Sequence, residues 1–296
     1  MVCTEDDYAF LRELVLSRSS NIIDASRNTV FDTRLTPVAR MAGVSNVKAL
    51  VDILRTSRPV HLHSAVVDAM TINETSFFRD VRPFDLLRTS VIPQLIESRR
   101  HQRKIRIWSA ASSTGQEAYS VAMLLREWFP ELATWDIQIL GTDISRSAVE
   151  YAQSARYRRL EVNRGLPATM LLRYMVRNGE EWEIVDSVRS LCSFRCLNLC
   201  GPLPALPRFD LVLLRNVLLY FSPEDRATVF TAVHRQIADD GYLLLGNAEQ
   251  ADESSDRFTV EFSTNEKSYF YRPIKDALSR DVERDAKASR SFYCGG

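Results

Sequence analysis

Two polar segments carry side chains whose types and spacing suit the binding of a small charged molecule. Asn73-Glu74-Thr75-Ser76-Phe77-Phe78-Arg79 offers an amide, a hydroxyl and a guanidinium within one short stretch. Trp108-Ser109-Ala110-Ala111-Ser112-Ser113-Thr114-Gly115-Gln116-Glu117 reads as a buried strand that ends in small residues and turns into a helix at Gly115. In that geometry backbone amides approach a ligand closely. Asp143, in Leu140-Gly141-Thr142-Asp143-Ile144, stands at the end of the next strand, where a carboxylate accepts hydrogen bonds from a ribose. The combination points to a nucleoside-containing cofactor. A dinucleotide needs several glycines so that the backbone can reach its phosphates, and this turn has only Gly115. S-adenosylmethionine has no phosphate and needs less of that approach. Taken alone, the turn suits equally an ordinary α/β unit with no ligand.

The elements around these segments fall into two groups. Thr4 caps a helix to Ser17, with Asp6 and Asp7 in its first turn and Phe10, Leu11, Leu14 and Val15 on one face. Further helical patterns cover Thr29 to Met41, Asn46 to Arg55 and Pro59 to Met70, so residues 1–72 read as a small all-helical domain. From Lys104 strands and helices alternate: Ile105 to Ala110, Gln116 to Trp128, Asp136 to Thr142 and Arg146 to Ser154. Phe209 to Leu214 and Gly241 to Gly246 are apolar runs of the kind found in buried parallel strands. Pro223 starts a helix at its favoured first position, and Phe258 to Phe262 with Ser268 to Arg272 form a final hairpin. The expectation is a doubly wound, Rossmann-like α/β domain over residues 73–274. The alternation breaks at residues 156–199, with a helix over Pro167 to Val176 and, after a turn at Asn178-Gly179, strand-like runs Glu181 to Val188 and Leu191 to Leu197. These read as an inserted antiparallel β-subdomain. Residues 275–296 are polar and aperiodic and read as a mobile tail.

Composition narrows the class. With 38 basic and 38 acidic residues there is no bulk electrostatic case for nucleic acid or an anionic membrane. No apolar run reaches the roughly 18 residues of a membrane span, and the first residues lack the pattern of a secretion signal. The five cysteines therefore read as reduced thiols of a cytoplasmic protein. Cys192, Cys196 and Cys200 miss the radical S-adenosylmethionine spacing by one position, and His61, His63, His101 and His234 do not cluster with them. No metal site is expected.

Four motifs, in order, resemble the CheR family of chemoreceptor glutamate methyltransferases over roughly Tyr8 to Arg272. They are Asn73-x-Thr75-x-Phe77-Phe78-Arg79, Ser109 through Ser120, Thr142-Asp143-Ile144-Ser145, and Leu214-Arg215-Asn216-Val217-Leu218-Leu219-Tyr220-Phe221. The resemblance implies a helical receptor-recognition domain joined to a methyltransferase domain that carries a small β-subdomain. It implies S-adenosylmethionine as cofactor and S-adenosylhomocysteine as product. Asn73, Thr75 and Arg79 would contact the cofactor, Arg79 being suited to the methionine carboxylate. Glu117 would hold a polar or cationic part and Asp143 the ribose hydroxyls. Asn198 and Leu199 would frame the adenine, and Arg215 and Asn216 would follow the fourth strand. Tyr220 would lie beside the sulfonium or orient the acceptor carboxylate, although an aromatic packing role fits it as well.

The implied substrate is a glutamate on the cytoplasmic methylation helices of chemoreceptors. Arg27, Arg34 and Arg40 in the second helical segment are candidates to read those acidic helices, and the β-subdomain offers a face for a regulatory protein. The chain departs from the family at Gln116-Glu117-Ala118, where Glu-Glu-Pro is usual, and at the Arg177-Asn178-Gly179-Glu180-Glu181 turn. That turn is shorter than in members that dock on a receptor's carboxy-terminal pentapeptide. A segment without a proline pair after the fourth strand separates the chain from nucleic-acid amino-methyltransferases. The alternatives are a non-catalytic S-adenosylmethionine-binding adaptor and a methyltransferase for another protein substrate.

Overall fold

The structure is a computed structural model that describes residues 2–57, 59–250 and 256–275. Its first part is a helical unit of α1 (Glu5–Ser19), α2 (Asn28–Met41), α3 (Val47–Ser57) and α4 (Val60–Met70). Thr4 starts α1 with a reciprocal cap: its hydroxyl accepts from the Asp7 amide at 3.3 Å, while Asp7 Oδ2 accepts from the Thr4 amide at 2.9 Å. The apolar faces of the four helices close on their own core, in which Leu11, Phe31, Leu35, Leu50, Leu54 and Val66 are fully buried. Burying such side chains contributes about 1.5–3 kcal/mol each before the entropy of ordering them.

A connecting rod follows, made of α5 (Arg82–Leu86), a π-helical turn (Leu87–Val91) and α6 (Ile92–Arg99). The remaining elements are β1 (Lys104–Ala110), α7 (Gln116–Trp128), β2 (Asp136–Asp143), α8 (Arg146–Ser154), β3 (Arg156–Arg158), α9 (Arg159–Asn163), α10 (Ala168–Tyr174), β4 (Met175–Asn178) and β5 (Glu181–Ile184). They continue with α11 (Asp186–Arg189), β6 (Cys192–Cys196), β7 (Phe209–Leu214), α12 (Pro223–Gln236), β8 (Ile237–Leu245), β9 (Phe258–Ser263) and β10 (Ser268–Pro273).

Seven strands form one sheet in the order β6-β2-β1-β7-β8-β10-β9. The first five are parallel, and β10 and β9 close the sheet antiparallel. Successive side chains of the central strands feed opposite faces. Ile105, Ile107, Leu211, Leu213 and Leu244 enter one core, and Trp108, Ala110, Val212, Leu214 and Leu245 enter the other. The strand order reverses beside β1, so β1 and its neighbours open a crevice at their carboxyl ends.

The insertion is smaller than the sequence pattern indicated. Its sheet is β3-β5-β4, and β6, expected within it as Leu191 to Leu197, instead pairs parallel to β2 at the edge of the main sheet. The run Glu181 to Val188 is likewise not one strand, because β5 stops at Ile184 and α11 begins at Asp186. The tail from residue 276 lies outside the described residues.

Candidate functional site

The crevice becomes a site through the turn between β1 and α7. Ala111 and Ser113 both have positive φ, and Gly115 has φ +94°. At Gly115 a Cβ would fall 2.8 Å from the Ala152 Cβ, so the position excludes any side chain as well as demanding left-handed backbone. Ser112 N donates to Thr142 O at 2.8 Å, tying the turn to the end of β2. The Asp143 carboxylate, 7% exposed, accepts from the Ser113 amide at 2.7 Å and from the Ser145 amide at 2.9 Å. Burial nevertheless holds its pKa above the usual aspartate range, with those two amides acting against the shift.

The Asn73–Arg79 segment lies across this turn. Ser113 Oγ donates to Asn73 O at 3.0 Å and Asn73 Nδ2 to Ser145 Oγ at 3.2 Å. Arg79 Nη1 donates to Glu74 O at 2.9 Å, and the turn around it holds Phe78, Asp80 and Val81 at positive φ. Backbone of that kind costs about 1–3 kcal/mol per residue and persists only where its surroundings over-determine it. Ser120 Oγ, accepting from the Phe78 amide at 2.9 Å, supports this turn, and so does Arg215. Its guanidinium donates to Arg79 O at 2.8 Å, to Asp80 Oδ2 at 3.0 Å and to Glu117 Oε2 at 2.8 Å. Glu117 Oε1 accepts from Ser109 Oγ at 2.7 Å. Glu117 is therefore held on both oxygens, and Arg215 is a buried strut of the cleft wall.

Asn73, Thr75, Arg79, Glu117, Asp143, Asn198, Leu199, Arg215, Asn216 and Tyr220 all line this one cleft. Burial, opposed by the nearby Arg79, keeps the Tyr220 hydroxyl above its ordinary pKa and so protonated at neutral pH. Asn198 is also a joint to the helical unit, since its Nδ2 donates to Arg18 O at 3.0 Å.

The basic residues of the second helical segment are not brought together in this way. Arg27 is exposed and lies in a short 3-10 turn before α2, not in the helix. Arg34 is half-buried and its Nη1 donates to Thr71 O at 2.9 Å, while Arg40 is exposed. Six positions separate Arg34 from Arg40, which sets them about 120° apart around the helix axis. Arg34 and Arg40 are therefore two separate positions on α2 and do not share one face.

Several site residues carried no individual signal in the sequence. Ser19 and Asn21, from the end of α1 and the loop after it, line the cleft on the helical side. The Ile22 amide donates to Tyr220 O at 3.3 Å, so the α1–α2 connection lies over the site. Glu249, beyond β8, holds the loop after β7. None of these shows a local motif; only the fold brings them here.

The donor set fits a nucleoside-bearing amino acid. A buried acid at one wall suits sugar hydroxyls, and Arg79 at another suits a carboxylate. Among the described residues, Ser112 Oγ and Arg215 Nε on the cleft wall are buried without a hydrogen-bond partner in the chain. Buried polar atoms of this sort normally have a partner, which a bound molecule would supply. The described residues contain no cluster of His, Cys, Asp and Glu able to hold a metal ion, and no helix among them is long and apolar enough to cross a membrane.

Comparison with known proteins agrees with this geometry. The family described as CheR methyltransferase, SAM binding domain, matches residues 73–267. Chemotaxis protein methyltransferase 1 of Pseudomonas aeruginosa is 35% identical over 265 residues, 88% of this chain and 96% of that protein. Chemotaxis protein methyltransferase Cher2 of Pseudomonas putida is 32% identical over 258 residues, 86% of this chain and 94% of that protein. A chemotaxis protein methyltransferase of Vibrio parahaemolyticus is 33% identical over 261 residues, 87% of this chain and 94% of that protein. A family match over residues 73–267, with relatives similar across nearly their whole lengths, assigns the cleft to S-adenosylmethionine, and the chain belongs to the CheR methyltransferase family.

Proposed function

We propose that this methyltransferase esterifies glutamate side chains on the cytoplasmic helices of chemoreceptors, and that it works in the cytoplasm. One observation carries the reading: every acid lining the cleft is already committed. Asp143 is held by two amides, Glu117 by Ser109 and Arg215, and Glu74 by Arg164. Among the described lining residues there is no histidine, lysine or cysteine. The site therefore lacks a free base, and its acceptor has to arrive as a nucleophile. A glutamate does so, because its pKa of about 4.3 leaves it an anion at neutral pH.

Bound S-adenosylmethionine supplies an electrophilic methyl group on a sulfonium. The work of the chain is then to orient and to exclude water. Asp143 would hold ribose hydroxyls, Arg79 the methionine carboxylate, and Asn198 with Leu199 the adenine. Asn73, Thr75 and Asn216 would complete the polar wall, and Glu117, its oxygens fixed by Ser109 and Arg215, would face a polar or cationic part of the cofactor. Tyr220, protonated, would donate to the incoming carboxylate and orient it without taking a proton. Positioning of this sort supplies roughly 7–11 kcal/mol in favourable cases.

On the substrate side, the exposed Arg40 and the half-buried Arg34 give α2 cationic points for an acidic helix, with Arg27 just before it. The inserted sheet offers a separate face to a regulatory protein. The test is methyl transfer from labelled S-adenosylmethionine to receptor cytoplasmic fragments. A base-labile label supports the ester, a base-stable label a different acceptor, and no label an adaptor.

A further inference from the structure

We propose that Glu249 is a positioning residue for methyl transfer, acting through the loop that follows β7. Glu249 is 8% exposed and does not itself line the cleft. Its Oε2 accepts from the Asn216 amide at 2.6 Å and the Gly246 amide at 2.9 Å, and its Oε1 accepts from the Leu218 amide at 2.7 Å. An ionised carboxylate is costly to bury unless its lone pairs are satisfied, and three short charge-assisted bonds satisfy them. Two of the three donors belong to the segment Asn216–Tyr220, whose residues Asn216, Val217 and Tyr220 face the cofactor cleft.

The clamp does work that the sheet cannot. The β7–β8 ladder ends at the Leu214–Leu245 pair, so the loop after it has no strand to pair with. Asn216 leaves the ladder at φ +60°, and Leu218–Tyr220 forms a 3-10 turn. Glu249 supplies the acceptors that these amides would otherwise lack. Gly246 permits the approach: a Cβ there would lie 2.6 Å from Glu249 Oε2 and 2.9 Å from the Asn216 amide. Glu249 thereby sets the height and rotation of Asn216 and Tyr220 on the cleft wall. On the opposite side the Ile22 amide holds Tyr220 O, so the tyrosine's backbone is fixed from two directions.

The inference rests on methyl transfer in this cleft and not on the chemical identity of the acceptor. Its test is Glu249→Gln, which keeps the shape and turns an NH2 group toward amide donors. Calorimetric titration with S-adenosylhomocysteine counts the folded sites, and turnover is expressed per titrated site, so that a merely unstable variant does not mimic a slow one. The expected result is stoichiometric binding with turnover per site lowered about 10²-fold, the size of effect that a misplacement near 1 Å produces. Adding Tyr220→Phe to Glu249→Gln should change little, since the two act as one unit. Amide hydrogen exchange at Asn216 and Leu218 should quicken, and this readout needs no methyl acceptor. Wild-type turnover per site, full multiplication of the two effects, or unchanged exchange at those amides would each overturn the proposal. Should Glu249→Gln not fold, Gly246→Ala strains the same clamp from the other side and is expected to give the same pattern. If wild-type protein transfers no methyl group to receptor fragments, the acceptor reading fails, and the exchange result still decides the clamp.

Discussion

Arg215 and Glu117 form a buried ion pair, Nη1 to Oε2 at 2.8 Å, in which the arginine side chain is 1% exposed and the glutamate 12%. The pair joins the end of β7 to the start of α7, and the same guanidinium supports the positive-φ turn at Arg79–Val81. Arg215→Met should therefore do more than remove a cofactor contact. It leaves a buried carboxylate uncompensated, which costs about 3–5 kcal/mol of stability. Denaturant unfolding checks this, and Arg215→Met combined with Glu117→Gln should recover a large part of the loss. Equal stability of the single variant and wild type would show that the pair is not a structural strut.

Asp143 makes binding of S-adenosylhomocysteine depend on pH in a direction set by its burial. Its pKa in the free protein is raised, so the carboxylate begins to protonate at a higher pH than an exposed aspartate, whose value is about 3.9. The protonated group accepts ribose hydroxyls poorly, and affinity should fall as pH is lowered through that raised value. Stability of the free protein should move the opposite way, decreasing as pH rises through the same window, because the folded state binds the extra proton. Asp143→Ala should weaken binding by about 1.5–3 kcal/mol and flatten the pH dependence. Calorimetry across pH with both proteins checks the two statements together.

Much of this architecture was legible in the sequence because its signals are local. The Thr4 cap, the apolar runs of β1, β7 and β8, the break at Gly115 and Pro223 after Ser222 each report a physical constraint that acts within a few residues. The strand β6 reads from sequence as part of the inserted subdomain for a reason equally physical. At the edge of the main sheet it exposes Ser193 and Arg195 while burying Phe194, the same alternation that a hairpin strand shows. In the rod over Arg82–Arg99, Pro83 and Pro93 interrupt the apolar spacing by which a helix shows in a sequence. Glu249 sits in an unremarkable polar run, and only the return of β8 beside β7 reveals its partners.

Recognition by α2 leads to a prediction with a built-in control. Arg40 is exposed, so Arg40→Glu should weaken methylation of receptor fragments with no change in S-adenosylhomocysteine affinity. Arg34→Glu should also reduce methylation, but it removes the bond to Thr71 O and should lower stability as well. An interaction of this electrostatic kind weakens with salt. Equal turnover of Arg40→Glu and wild type at physiological ionic strength would remove α2 from the recognition surface.

Receptor docking should not need a carboxy-terminal peptide tether. In the small sheet β5, which carries Glu181 and Glu183, is the central strand. The free edges are β3 and β4, and a strand-adding peptide would pair with one of them. The prediction rests on the short Asn178-Gly179 turn next to β4. Calorimetry with an aromatic-containing receptor tail peptide should show no specific binding. Low-micromolar affinity abolished by Arg177→Pro, which removes an outward-facing amide from the β4 edge, would show that the tether is used.

The central claim is transfer of a methyl group to a carboxylate that brings its own negative charge. The most direct measurement is incubation of the full chain with methyl-labelled S-adenosylmethionine and a receptor cytoplasmic fragment, followed by mild base. The account predicts label on the fragment, released as methanol by base, absent when the acceptor glutamates are replaced by alanine, and strongly reduced in Tyr220→Phe. Label that survives base, or a protein that binds S-adenosylhomocysteine stoichiometrically yet labels no fragment, would contradict it.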